Sequence, residues 1–133
     1  MDRYLCKAKR LDNAEWEKGY YVKCRGHHYI LPIYDDDHGY DERYAEWIEI
    51  DPKTVCKYAG ITDKNGREVW ENDIIYYDAI KAIGKVMWYK EDYIGFAVDD
   101  IYDSYQQYTL EMFANADVVG NIFDNPDLLY PQN

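Results

Sequence analysis

The tetrapeptide Asp63-Lys64-Asn65-Gly66, flanked by apolar Ile61 and Val69, constrains the fold more than any other part of the chain. Asn-Gly takes up the positive φ angles of a tight hairpin turn, so a hairpin tip is expected here with an antiparallel strand on each side. The surrounding pattern agrees. Lys53 to Tyr58 and Asp73 to Asp78 are short β-rich runs bounded by turn formers, and Val86 to Tyr89 and Tyr93 to Val98 form a further pair around Lys90-Glu91-Asp92. Tyr4 to Arg10 and Gly19 to Lys23 read as an N-terminal hairpin whose polar loop, Leu11 to Lys18, contains Trp16. Gly84 reads as a turn or bulge opening a strand. Val118 to Phe123 reads as a strand in which Gly120 marks a sharp bend or the close approach of another backbone. Asn125 is a capping residue before Pro126 at a first helical position, so one helical turn ending in Leu128-Leu129 is expected to dock on the sheet. Thr109 to Ala116 fits a short helix and a strand equally well. The stretch from His27 to Asp51 is the least readable, with an apolar run from Tyr29 to Tyr34 and then a dense acidic loop, and residues 27–50 are read as an insertion.

At 133 residues the chain is long enough for one domain, and 47% apolar residues against 31% charged ones place it among folded rather than disordered sequences. Charge is the unusual quantity. The net value is −11, yet residues 1–34 hold seven basic and four acidic side chains, while the chain after Lys90 has nine carboxylates and no Lys or Arg. Such a field repels polyanions over most of the surface, which excludes general coating of DNA or RNA. The first residues carry charges on both sides of a short apolar pair and so lack a secretory signal, and no run reaches the roughly 18 apolar residues of a spanning helix. A soluble, cytoplasmic protein is expected. Cys6, Cys24 and Cys56 are odd in number and widely spaced, which fits buried free thiols rather than disulfides or a zinc site.

Chemistry-bearing patterns are weak. Asp35, Asp37, Asp41 and Glu46 fall at positions one, three, seven and twelve of a calcium loop, but Gly39 stands where a ligand belongs and Tyr40 where the loop needs glycine. The run Asp35-Asp36-Asp37-His38 is therefore read as an acidic surface loop, with cation binding by Asp35 to Asp37 left open. His27 and His28 are adjacent on a strand and point to opposite faces, so at most one could join such a site. Ser104, the only serine, has no evident base beside it, and no glycine-rich phosphate loop is present. No catalytic residue, metal or cofactor is expected, and an enzyme is the least favoured class.

Two blocks, Tyr58 to Ile75 (YAGITDKNGREVWENDII) and Val119 to Leu129 (VGNIFDNPDLL), strongly resemble the hallmark of the YopX family of bacteriophage and prophage proteins. They span most of residues 55–129, the N-terminal hairpin resembles the family's basic opening strands more loosely, and residues 27–50 match nothing recognised. The resemblance implies one YopX-like domain over residues 1–133, mainly β, with coiled antiparallel sheets containing an SH3-like barrel and little helix. It also implies a bacterial host. It carries no catalytic residue across. Ala59 and Asn72 depart from the family pattern, the second standing where glycine is usual, and Asn is the next best residue for a left-handed turn. Within the blocks, Gly60, Asn65, Gly66, Asn72 and Gly120 are the expected structural turn residues, and Ile61, Val69, Ile74, Val119 and Ile122 the expected core. Asp63, Lys64, Arg67, Glu68 and Trp70 form a polar and aromatic candidate interaction face.

Two functional readings follow. The first is a non-enzymatic protein-protein interaction module whose partner is a protein, such as one of the host's; it binds neither duplex DNA nor a membrane, and a homo-oligomer is compatible with it. The second is linked to nucleic acid, either through the basic hairpin around Lys7, Lys9 and Arg10 with tyrosine stacking, or through mimicry of a phosphate backbone by the acidic C-terminal third.

Overall fold

Short runs of β-branched and aromatic residues between turn formers favour strands over helices, and the computed structural model is accordingly built of strands. It describes residues 4–33, 46–89, 95–100, 107–109 and 115–129. In chain order these give β1 (Leu5–Lys9), β2 (Trp16–Cys24), β3 (His27–Pro32), β4 (Ile48–Glu49), β5 (Cys56–Thr62) and β6 (Glu68–Trp70). They are followed by β7 (Asp73–Tyr77), β8 (Ala82–Tyr89), β9 (Gly95–Asp100), β10 (Gln107–Thr109) and β11 (Asp117–Asn121). Among the described residues there is no α-helix, only short 3-10 turns such as Pro52–Thr54, Asp78–Ile80 and Pro126–Leu129. The strands form two antiparallel sheets, ordered β4-β3-β2-β1-β5-β6 and β10-β9-β8-β7-β11. No closed barrel is formed among them. No helix among the described residues is long and apolar enough to cross a membrane.

The chain divides inside β5 into two compact units, Met1–Tyr58 and Ala59–Asn133. In the first, β1 and β2 pair from Leu5 opposite Tyr20 to Lys9 opposite Trp16, so Trp16 stands in the strand rather than in the preceding loop. β2 and β3 are joined by two residues with positive φ, Arg25 (53°) and Gly26 (81°), the geometry whose twist matches paired strands. The segment that the sequence leaves unread supplies β3 and β4, and Ile30, Ile48 and Ile50 from it pack with Cys6 and Ala8 in this unit's core. The β-rich run expected from Lys53 begins only at Cys56. Asp51 accepts the Lys53 N–H (3.0 Å), and Pro52 follows at the first position of a 3-10 turn, so capping chemistry delays the strand.

In the second unit the core is Val69, Ile75, Val86, Val98 and Ala116, with Ala59, Ile61, Tyr77, Phe96 and Val118 against it. Gly84 does not open a strand. It lies inside β8, opposite Asp100, where an added Cβ would stand 2.4 Å from Val98 Cγ1 and 2.8 Å from the Asp99 carbonyl oxygen. The turn before β8 is made by Lys81, at φ 55°. β11 is bulged between Val118 and Gly120, and Val119, expected in the core, is the extra residue and is 42% exposed. The single turn Pro126–Leu129 is present; the Asn125 carbonyl accepts the Leu128 N–H (3.1 Å), and its Oδ1 accepts the Asn121 N–H (3.1 Å), reaching back to β11. Gln107–Thr109 is strand, and the undecided stretch that follows lies outside the described residues except for Asn115 and Ala116.

Candidate functional site

The candidate face around the hairpin tip is first of all a joint. Asp63 donates its N–H to the Arg67 carbonyl (2.8 Å) and accepts the Gly66 N–H (3.1 Å) at its own carbonyl. Gly66 has φ 83°, whereas Asn65 is not left-handed, so the tip is an i to i+3 turn closed by a left-handed glycine rather than a two-residue turn. The difference comes from the Asp63 side chain. Its Oδ1 accepts the N–H of Asn65 (2.8 Å) and of Arg67 (2.9 Å), bending the backbone around the carboxylate.

Its Oδ2 accepts the N–H of Val118 in β11 (3.0 Å), 55 residues away. Lys64 N–H donates to the Ala116 carbonyl (3.1 Å), and Arg67 Nη1 to the Val118 carbonyl (3.1 Å). Asn65 Nδ2 (2.6 Å) and Lys64 Nζ (3.0 Å) both reach the Asp117 carboxylate. Asp63 is only 5% exposed. Burial pushes its acidity towards the neutral form, but the N–H groups of Val118, Arg67 and Asn65 and the nearby Arg67 charge outweigh it and hold the carboxyl below the ordinary Asp range.

The five residues of the candidate face therefore separate. Trp70 (5% exposed) and Asp63 are buried, Glu68 is half-buried, and Lys64 and Arg67 lie at the surface, engaged with β11. The buried carboxylate and indole contribute to packing, and Lys64 and Arg67 tie the exposed part of the tip to β11. Of the turn residues, Gly60 sits within β5 at φ 84°, and Asn72, at φ 72°, makes the two-residue link from β6 to β7. Gly120 faces Asn125, whose Oδ1 and Cγ an added Cβ would meet at 2.5 and 2.7 Å.

Sequence reading missed an aromatic groove on the first unit. Tyr4, Cys6, Tyr20, Tyr21 and Lys57 line it, and Tyr4 is 67% exposed, with Tyr20 and Tyr21 also at the surface. The sequence signal is Tyr20-Tyr21 on the strand opposite Leu5, next to Tyr4, visible only once the hairpin's register is known. The basic hairpin is internally engaged. The Lys7 and Lys9 ammonium groups lie 4.6 and 5.5 Å from the Trp16 ring centroid. Arg10 is held by Asp12 (2.9 Å) and Glu17 (3.1 Å), which raise its pKa above the usual arginine value, the Asp12 hydrogen bond most.

His27 and His28 point apart, His27 Nδ1 to Glu49 Oε2 (2.7 Å) and His28 Nδ1 to the Tyr21 hydroxyl. Cys6 and Cys56 are buried, but Cys24 is exposed at the end of β2, against the expectation of three buried thiols. No group of three potential ligands is placed to hold a metal among the described residues. Asp35, Asp36, Asp37, His38, Asp41 and Ser104 lie outside them.

A family model described as "YopX protein" matches residues 8–130, nearly the whole chain. No curated protein matches.

Proposed function

The chain belongs to the YopX family, and from that premise we propose that it acts as a non-enzymatic protein-protein interaction module of a phage or prophage, working in the bacterial cytoplasm. The observation that carries this reading is the groove of Tyr4, Cys6, Tyr20, Tyr21 and Lys57, an apolar recess with tyrosines at its surface. Tyrosines supply large contact area at low entropic cost, and such residues are enriched where proteins meet. The SH3-like barrel implied by the family resemblance belongs to the same proposal. It is supported by short strands joined by tight turns at Arg25-Gly26 and Glu71-Asn72.

Duplex DNA is not expected as a partner. The net charge of −11 opposes it, and Lys7, Lys9 and Arg10 already have aromatic or carboxylate partners within their own hairpin. The test is capture from host lysate, with and without nuclease, by the unaltered chain and by a Tyr4→Ala/Tyr20→Ala variant shown to be folded. Retention of a discrete protein after nuclease, lost with the tyrosines, is the expected result. Capture that vanishes with nuclease, or submicromolar binding of random duplex in an anisotropy titration, would replace this reading with the nucleic-acid one.

A further inference from the structure

The turn that joins β2 to β3 carries backbone strain. Arg25 (φ 53°) and Gly26 (φ 81°) fill a two-residue turn that is left-handed at both positions, and asparagine or glycine suits the first of these better than arginine. Strain retained at an exposed residue points to use of its side chain. Arg25 and Lys23 are both exposed, and the side chain of neither has a hydrogen bond or ion pair among the described residues. By contrast, Arg10 is held by Asp12 and Glu17, Lys64 by Asp117 and Lys81 by Asp78. The Glu49 carboxylate on β4 is engaged by His27 (2.7 Å) rather than by either cation.

This cationic tip is continuous with the tyrosine groove. Tyr21 lines the groove and lies two residues from Lys23 on β2, so the two share a face about 7 Å apart. Lys23 stands opposite His28, whose ring stacks on Tyr21 (5.8 Å between centroids) and whose Nδ1 meets the Tyr21 hydroxyl. We infer that the groove and the β2–β3 tip form one surface for an extended acidic segment of a partner protein. An apolar side chain of that segment sits among the tyrosines, and its carboxylates lie on Lys23 and Arg25, the latter's fork suited to two bonds with one carboxylate. This rests on the groove being a protein-binding site and adds the charge of what it binds. A net charge of −11 by itself favours basic partners, so selection of an acidic one requires these local cations. Two cations give few counterion-releasing contacts to phosphate, which favours a protein segment over a nucleic acid.

The experiment is a selection of displayed random peptides on the unaltered chain, on Lys23→Gln/Arg25→Asn and on Tyr4→Ala/Tyr20→Ala. Asparagine suits the turn better than arginine, so the charge variant should melt no lower than the unaltered chain, which separates binding from folding. Peptides enriched on the unaltered chain are expected to carry Asp or Glu about two to four residues from an aromatic or aliphatic side chain, the spacing of an extended segment running from Tyr21 to the tip. One such peptide, followed by fluorescence anisotropy, should bind the charge variant about three- to tenfold more weakly. That difference should shrink as salt rises well above about 0.1 M. Enrichment of basic or uncharged peptides, or equal binding by the charge variant, overturns the inference while leaving the groove reading in place. Acidic peptides that bind the tyrosine variant undiminished overturn both. No enrichment at all, a charge variant that melts clearly lower, or tighter binding of oligothymidylate than of the peptide also overturns the inference.

Discussion

Asp63→Asn removes one charge and little volume, and its cost can be worked from the three N–H groups around the carboxylate. The amide retains a single oxygen. If that oxygen keeps the N–H groups of Asn65 and Arg67, the new NH2 faces the Val118 N–H, donor against donor. Leaving one partly buried donor without an acceptor costs about 1–3 kcal/mol, and the two remaining bonds lose their charge assistance, for a total of about 2–4 kcal/mol. In a chain of this length that is a fall in Tm of about 8–15 °C at pH 7.

The pH dependence has a definite sign. The Asp63 carboxyl is held below its ordinary value in the folded chain, so its contribution is fully present above the unfolded-state pKa of about 3.9. It fades as pH falls through the lower folded value, where both states take up the proton. Thermal melts followed by circular dichroism should show the gap between the unaltered chain and Asp63→Asn at full size at pH 7 and shrinking below about pH 4. A gap under about 2 °C at pH 7, the range of an ordinary surface substitution, or one unchanged on acidification would refute the assignment of Asp63 as an ionised joint.

Gly120→Val should lower stability by about 1–3 kcal/mol in urea melts, because the new side chain must displace Asn125 from its bond to the Asn121 N–H. Asn72→Gly should stay within about 1 kcal/mol of the unaltered chain, while Asn72→Val, forced to φ 72°, should lose more than that in the same assay. Native-state titration with a thiol reagent should modify Cys24 rapidly and Cys6 and Cys56 only after denaturant, as peptide mapping would report.

What was legible in the sequence was local chemistry. Asn65-Gly66 marked a tip, Gly120 a close approach, and Pro126 a single turn, each from conformational preferences that act within a few residues. What was not legible was set by distant partners. Asp63 sits in a hairpin signal and looks like a polar tip residue, and only its bond to Val118, 55 residues on, shows it to be buried. Trp70 looks like an interface anchor by type but is enclosed, since burial of one side of β6 depends on what lies over it. Val119 alternates correctly for the core until the bulge, a one-residue shift, sends it to solvent. The extent and pairing of β3 are hidden because its apolar run adjoins an acidic stretch, although its two-residue link to β2 is within reach in Arg25-Gly26.

The span of the Asp63–Val118 bond also has a kinetic meaning. The β2–β3 hairpin closes across two residues and can form within microseconds, whereas joining the tip to β11 must close a loop of more than 50 residues first. Contacts of that length are expected after the rate-limiting barrier, so in a chevron plot Asp63→Asn should leave the refolding limb nearly unmoved and accelerate unfolding by most of its equilibrium cost. The carboxylate would then act chiefly on the lifetime of the folded chain rather than on the speed with which it is reached.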